Sequence, residues 1–290
     1  MPVQEHLEGL WREWRHKRVA ELSRPYGWPS LVAQHWLREG ADPVELEDLP
    51  GTWAVVDGRV IFTPPAEGPS LSVDGEYPSG PVEIVTGRNQ SYGHGRSVPV
   101  FFGDREVETI PRTNSAGEQI FGVRVRDPKV SAAKDFSSVA AYDYDPAWRV
   151  PAVFTPAAAL DVEQETVETG VRETTTRIGT LRVELEGRAF DLVVIGKESA
   201  TGIHPVVHLR DATAGRTTYG AGRVVEAAWA DEARTRIDWI DFNYLVPLPC
   251  AYTNFVTCPI PPRENVLDVE IPVGELKPAE TLERLLTYAG

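Results

Sequence analysis

TWAVVDGRVIFT, residues 52–63, sets two five-residue runs rich in β-branched and aromatic side chains on either side of Asp57-Gly58. An Asp-Gly pair supplies two residues that tolerate positive φ, which the tight turn of a two-residue hairpin requires, so the stretch predicts an antiparallel hairpin. The same period of two returns in VEIV, VPVFF, EVETI, FGVRVR, WRVPAVF, TVETGVRETTTRIG, LRVELEG, AFDLVVIG, PVVHLR, TTYGAGRVVEAA and TRIDWIDFN. These runs are joined by short connections bearing Gly or Asp, with no helical stretch between them. That order excludes a βαβ fold and predicts a mainly β protein, an antiparallel barrel or sandwich.

The first 45 residues read differently. Leu7, Leu10, Trp11, Trp14 and Val19 recur at helical spacing, with Arg12, Arg15, Lys17 and Arg18 mostly on other faces. WPSLVAQHWLREG, with Pro29 near its start and Gly40 at its end, predicts a second short helix. Residues 1–45 are therefore expected to form a helical segment packed on a single β-domain, 46–290, and the basic cluster at 12–18 to be a solvated helix face. FTPAAALDV at 154–162 is the best candidate for an internal boundary, but neither half has linker-like composition, so one domain is expected. A short helix is expected within residues 276–290.

At 290 residues the chain can bury a sizeable core without cross-links. Its 43 acidic against 29 basic residues give a formal charge of −14, which opposes attraction to phosphate backbones and anionic lipid. No uninterrupted apolar stretch suits an export signal or a membrane span, so a cytoplasmic location with reduced cysteines is expected, without nucleic-acid or membrane partners.

DFNYLVPLPCAYTNFVTCPIPPREN, residues 241–265, carries both cysteines, Cys250 and Cys258, on a proline-stiffened segment. Their spacing is not that of a zinc knuckle, and His204 and His208 would have to complete a metal site, which their shared strand face permits. A nucleophilic Cys250 with His208 as base is a further possibility, as are two inert buried thiols. The glycine-rich GRNQSYGHGR at 87–96 matches neither phosphate-loop pattern and reads as a candidate lid carrying Tyr92 and His94.

The preferred constellation is RDATAGRTTYGAGR followed by IDWIDFN. It offers Asp211, Thr213, Tyr219 and Arg223 around three glycines, then Trp239, Asp241 and Asn243 on one side of a strand. Arg223 paired with Asp211 or Asp241 would be architecture, because buried charges must be paired. The same Arg could instead hold a substrate carboxylate while an Asp moves a proton.

RVRDP at 124–128, DATAGRTTYGAGR at 211–223, DFN at 241–243, PCAYTNFVTCPIPPREN at 249–265 and VGE at 273–275 resemble the bacterial and archaeal family catalogued as domain of unknown function 1684. The resemblance is most specific over 205–275, and it implies no activity. It implies only which positions form the motif, among them Asp211, Thr213, Tyr219, Arg223, Asp241, Asn243, Cys250, Cys258, Glu264, Asn265 and Glu275. The sequence departs from the usual pattern at Val224, where an aromatic commonly follows the Arg, and at YLVPLPC. The strap at 241–265 is expected to cross the sheet and bring Cys250, Glu264 and Asn265 to the Asp241 and Arg223 strands.

The function expected from these residues is cofactor-independent acid-base catalysis on a small molecule, of hydrolase or lyase/cyclase type. Asp241, Arg223, Tyr219, Asp211 and His208 would act, and Asn243, Trp239, Thr213, Cys250, Glu264, Asn265, Tyr92 and His94 would line the ligand site. The alternative is a non-catalytic binding protein for a small organic ligand, and the third reading a zinc-dependent protein using Cys and His.

Overall fold

The computed structural model describes residues 3–85, 98–132 and 139–278. One long helix, α1 (Val3–Leu22), opens the chain, and a short one, α2 (Pro128–Ala132), lies in mid-chain. Between and after them run β1 (Leu31–Arg38), β2 (Thr52–Val56), β3 (Arg59–Thr63), β4 (Ser72–Val73), β5 (Val82–Glu83), β6 (Val100–Phe102), β7 (Arg105–Asn114) and β8 (Gln119–Arg126). β9 (Arg149–Glu165), β10 (Val171–Leu185), β11 (Arg188–Ser199), β12 (Gly202–Leu209), β13 (Arg223–Glu226), β14 (Trp239–Asp241) and β15 (Val246–Pro247) complete the set.

The fold is mainly β and antiparallel, as the period of two requires. Its main sheet follows the order β1-β8-β7-β10-β11-β12-β13-β15, with β9 beside β10, and a small sheet follows β2-β3-β5. The main sheet runs from one free end to the other, so it does not close as a barrel. The Asp57-Gly58 turn joins β2 to β3 with φ of 51° and 71°, the left-handed pair the hairpin needs.

The second N-terminal helix is not there. Pro29 sits inside a single 3-10 turn, Trp28–Ser30, and the residues expected to be helical form β1, paired antiparallel with β8 from Leu31↔Arg126 to Arg38↔Ile120. Val32, Trp36 and Leu37 serve a strand as well as a helix, and the open edge of β8 offers a whole ladder of hydrogen bonds that an isolated short helix cannot match. The FTPAAALDV stretch lies inside β9, with Pro156 opposite Gly179 of β10. Of the expected C-terminal helix, residues 276–278 are not helical and 279–290 lie outside the described residues.

Two cores result. Val107, Phe121, Val123 and Val125 pack one face of β7 and β8 onto Trp53, Val60 and Phe62 of the small sheet. Leu181, Leu192, Val194, Val207, Leu209 and Val225 pack β10–β13 onto Phe242, Leu245, Leu267 and Ile271 of the irregular C-terminal segment. Helix α1 is held by charge as well as by Trp11 and Trp14. Glu275, fully buried, accepts from Arg15 Nη1 at 2.8 Å and Arg18 Nε at 3.3 Å. Half of the basic cluster expected to face water is therefore a buried clamp, whereas Arg12 pairs with Glu8 on the exposed side.

Candidate functional site

The glycine-bearing motif builds an internal knot. Arg223 projects to the core face of β13 beside Leu209, and its Nη2 donates to Asp211 Oδ1 at 3.1 Å and to Ile271 O at 2.8 Å, while Nη1 donates to Val273 O. Asp211 Oδ2 accepts from Thr213 N, Thr213 Oγ1 and Ile271 N, and Thr213 Oγ1 meets Thr218 Oγ1 at 2.8 Å. Both charged side chains are at most 1% exposed. The knot ties the turn at 211–218 and β13 to the irregular segment 271–275, which has too little ladder of its own to hold it.

The Asp241 cluster is a second tie. β14 ends at Asp241, whose carboxylate accepts from Asn243 N at 3.0 Å and Asn243 Nδ2 at 2.8 Å as the cap of the turn Phe242–Tyr244. The period of two is thus broken before Asn243: Asn243 is buried and exchanges hydrogen bonds with the Asp145 backbone, whereas Trp239 is 44% exposed under the Arg149 guanidinium. Burial pushes the Asp241 carboxyl above its ordinary value, and Tyr144 beside it is pushed up to about 12, first by burial and then by the Asp241 charge.

The strap crosses the sheet, but with other contacts than expected. Val246 pairs with Val224 of β13, Thr253 Oγ1 donates to Leu31 O, Thr257 Oγ1 accepts from Arg112 Nε, and the Cys258 carbonyl accepts from Val167 N. Asn265 does meet the sheet, as a wedge between β11 and β12: its side chain bonds Val193 N, Val193 O and His208 O. Glu264 points outward to Arg177 at 3.3 Å. Tyr219 donates to Cys250 O at 2.8 Å, and burial raises its phenol well above the ordinary value. Cys250 and Cys258 are free, buried and adjacent, with Cys250 N donating to Cys258 Sγ at 3.3 Å. Burial pushes the Cys258 thiol well up, while the hydrogen bond from Cys258 lowers Cys250. His208 bonds neither thiol: Nε2 lies 3.4 Å from Ala221 O and Nδ1 has no partner. Tyr92 and His94 lie outside the described residues.

A cleft of about 1400 Å³ lies on the other side of the sheet. It forms because β10 pairs with β7 only at Val171 and Arg172 and with β11 only from Arg177 onward, so Glu173–Thr176 line a split between diverging strands. Ile110, Arg112 and Arg124 line one wall, Ile195, Val206, His208 and Val224 the other, and the strap residues Val246–Pro249 and Val256–Pro259 also line it. Neither Asp211, Tyr219, Arg223, Asp241 nor Asn243 lines this cleft; His204 and His208 do, four apart on one strand face as their spacing required. Val224 and Val246–Leu248, where the sequence departs from the family pattern, are among its lining.

Charge at the buried end of the cleft comes from cross-strand pairs that sequence reading passed over. Glu106 and Glu108 on β7 stand opposite Arg126 and Arg124 on β8, the alternation visible in EVETI and RVRDP. Arg126 Nη2 bonds Glu108 at 2.9 Å, and Arg112 Nη2 lies 3.3 Å from Glu173. Arg124 is 1% exposed; its Nε donates to Gln34, but Nη1 makes no hydrogen bond, lying 3.7 Å from Glu108. Burial lowers Arg124 to about 10, which leaves it cationic at neutral pH, and pushes the Glu173 carboxyl up. His208, lowered to about 4 by burial, is a neutral imidazole.

Among the described residues no three His, Cys, Asp or Glu side chains gather as a metal site. His204 instead bonds Glu226 at 2.5 Å and Thr201 at 2.8 Å. Nor is any helix among them long and apolar enough to cross a membrane.

Fold and cleft together define an open antiparallel β-protein with a cavity between diverging strands. Residues 134–276 match the family described as Protein of unknown function (DUF1684), and the chain belongs to that family. An uncharacterized protein from the Haloarcula marismortui gene locus rrnAC0354, solved by solution NMR, is 30% identical over 48% of this chain and 76% of its own, with a TM-score of 0.40. No curated protein matches.

Proposed function

We propose that the chain binds a small organic ligand in the cleft between β7 and β11, and that the Asp211–Arg223 knot serves architecture. One observation carries this reading. Arg124 and His208 both line the cavity, both are at least 98% buried, and each keeps a polar atom without a hydrogen-bond partner, Nη1 and Nδ1. Buried polar groups are nearly always satisfied, and these two orphans belong to side chains on one cavity, which supports a ligand or water completing the set. The Arg223 guanidinium spends both terminal nitrogens on protein acceptors, and although its Nε makes no hydrogen bond, Arg223 does not line the cleft.

A second reading, acid-base catalysis of hydrolase or lyase/cyclase type, rests on Glu173. Its carboxyl is on the cleft wall and raised by burial, so it holds a proton at higher pH than an ordinary carboxylate. In that reading Glu173 takes the role first assigned to Asp241.

The test is native mass spectrometry and thermal unfolding of the purified protein beside a Val206→Trp variant that fills the cleft. A bound small mass and ligand-dependent stabilisation in the parent, both lost in the variant, are expected. Binding that survives Val206→Trp overturns the assignment of the cleft. Glu173→Gln separates the readings: a catalyst loses turnover and keeps its ligand.

A further inference from the structure

The buried end of the cleft carries an unbalanced charge. Of the strand residues that line this end, Arg112 and Arg124 stand against Glu173 alone, and Arg112 is taken up by that carboxylate at 3.3 Å. Arg124 is the remaining cation on the wall, its Nη1 3.7 Å from Glu108 but without a hydrogen-bond acceptor, and the ring of Trp28 6.0 Å from its guanidinium. Behind the lining, Arg126 pairs with Glu108 at 2.9 Å and stands opposite Glu106, whose carboxyl burial pushes up. The lining as a whole has five Lys and Arg against four Glu, in a chain whose net charge is −14. The cleft is therefore a locally cationic place on an anionic molecule.

We propose that Arg124, seconded by Arg112, forms a subsite for the carboxylate of an organic monoacid whose apolar body lies along the cleft. This rests on the cleft being the ligand site. A single carboxylate neutralises the one surplus charge and gives Arg124 Nη1 its missing acceptor. A phosphate dianion would leave the site net negative beside Glu108 and Glu173, which buried like charges oppose. Beyond Arg124 the walls turn apolar, with Ile110, Val224, Leu248 and Val256, so the body of the acid removes hydrocarbon surface from water there. The cavity exceeds the usual size for a small-molecule pocket, roughly 300–1000 Å³, so such an acid occupies its buried part and leaves the outer part open.

The full chain would be titrated calorimetrically with octanoate, benzoate, octanol and octyl phosphate. At least one of the two carboxylates is expected to bind saturably, at least tenfold more tightly than octanol, with octyl phosphate no tighter than the carboxylate. Arg124→Met should weaken the carboxylate tenfold or more and leave octanol unchanged, and Arg124→Lys should recover part of the loss. Should Arg124→Met not fold, the carboxylate against octanol comparison on the parent protein decides alone. Equal binding of octanol and octanoate, with both lost in Val206→Trp, overturns the carboxylate subsite but keeps the cleft. Tighter octyl phosphate reassigns the anion and overturns the monoacid. No saturable binding of either carboxylate also overturns the proposal, and a different small mass retained by the native protein and lost in Val206→Trp would then leave the cleft reading standing.

Discussion

Replacing Arg223 by methionine tests whether the Asp211–Arg223 knot is architecture. Methionine keeps much of the aliphatic volume and removes the guanidinium. Asp211 then retains its bonds from Thr213 and Ile271 through Oδ2 but loses its cation at Oδ1, the Val273 carbonyl loses the Arg223 donor, and the Ile271 carbonyl keeps only Val273 N. Both side chains are at most 1% exposed, so water cannot replace what is lost without opening the core. Removing one partner of such a pair costs about 3–5 kcal/mol, largely as an uncompensated buried charge. With a urea dependence near 3 kcal/mol per molar, the unfolding midpoint should fall by roughly 1–1.7 M. The double variant Arg223→Met/Asp211→Asn should recover part of that loss, because the stranded charge is gone. Ligand binding in the cleft at 25 °C should be unchanged in whatever fraction remains folded. A midpoint shift below about 0.3 M, worth under about 1 kcal/mol, would refute the reasoning and return Arg223 to the role of a ligand clamp.

Three further outcomes follow from the same geometry. His208 is held near pKa 4 in the fold against 6.5 when unfolded, so the unfolded chain binds more protons in that window and stability falls as pH drops through it; from pH 7 to 5 the loss is about 2 kcal/mol. His208→Gln should flatten that slope in urea titrations, and an unchanged slope would place the histidine elsewhere than in a dry wall. Gly222 has φ of +94°, and a Cβ there would stand 2.4 Å from Leu209 O, whereas one at Gly58, φ +71°, meets nothing within 4 Å. Gly222→Ala should therefore lower stability by more than the roughly 1–2 kcal/mol of left-handed strain expected at Gly58→Ala, and equal losses by thermal unfolding would contradict the clash. Glu275→Gln removes the charge that Arg15 and Arg18 share, so α1 should become the first site of limited proteolysis while the sheet stays intact; an unchanged cleavage pattern would mean Trp11 and Trp14 hold the helix alone.

The hairpins were legible because their information is local. Asp57-Gly58 prescribes its own turn, and alternation along β7, β8 and β11 prescribes faces whatever they pack against. β1 was not legible, since LVAQHWLR has no local feature that separates strand from helix, and the edge of β8 decided it. Among candidate site residues, Asp211 and Arg223 were rightly read as an available pair. The sequence left open whether they face ligand or core, and the register Leu209↔Arg223 turns the arginine inward. Asn243 was read as part of a strand that stops two residues earlier, because Asp241 caps a turn rather than continuing the ladder.

Charge alternation is visible in EVETI, which reads as strand pattern, and in RVRDP, which reads as part of the family motif. Its meaning depends on β7 and β8 being neighbours and on the strap crossing them. By itself, then, the sequence determined a mainly antiparallel β protein with an amphipathic helix at its N-terminus, a proline-stiffened strap, and the residues able to form buried ion pairs, since turn chemistry, periodicity and composition act over a few residues. Only the tertiary structure decided that the strands part between β7 and β11, that the terminal nitrogens of Arg223 are consumed by the core while Arg124 Nη1 is left without an acceptor, and that the glycine motif lies away from the cleft. Those facts depend on which distant strands pair and where they stop pairing, a competition among long-range contacts that no short stretch of sequence settles.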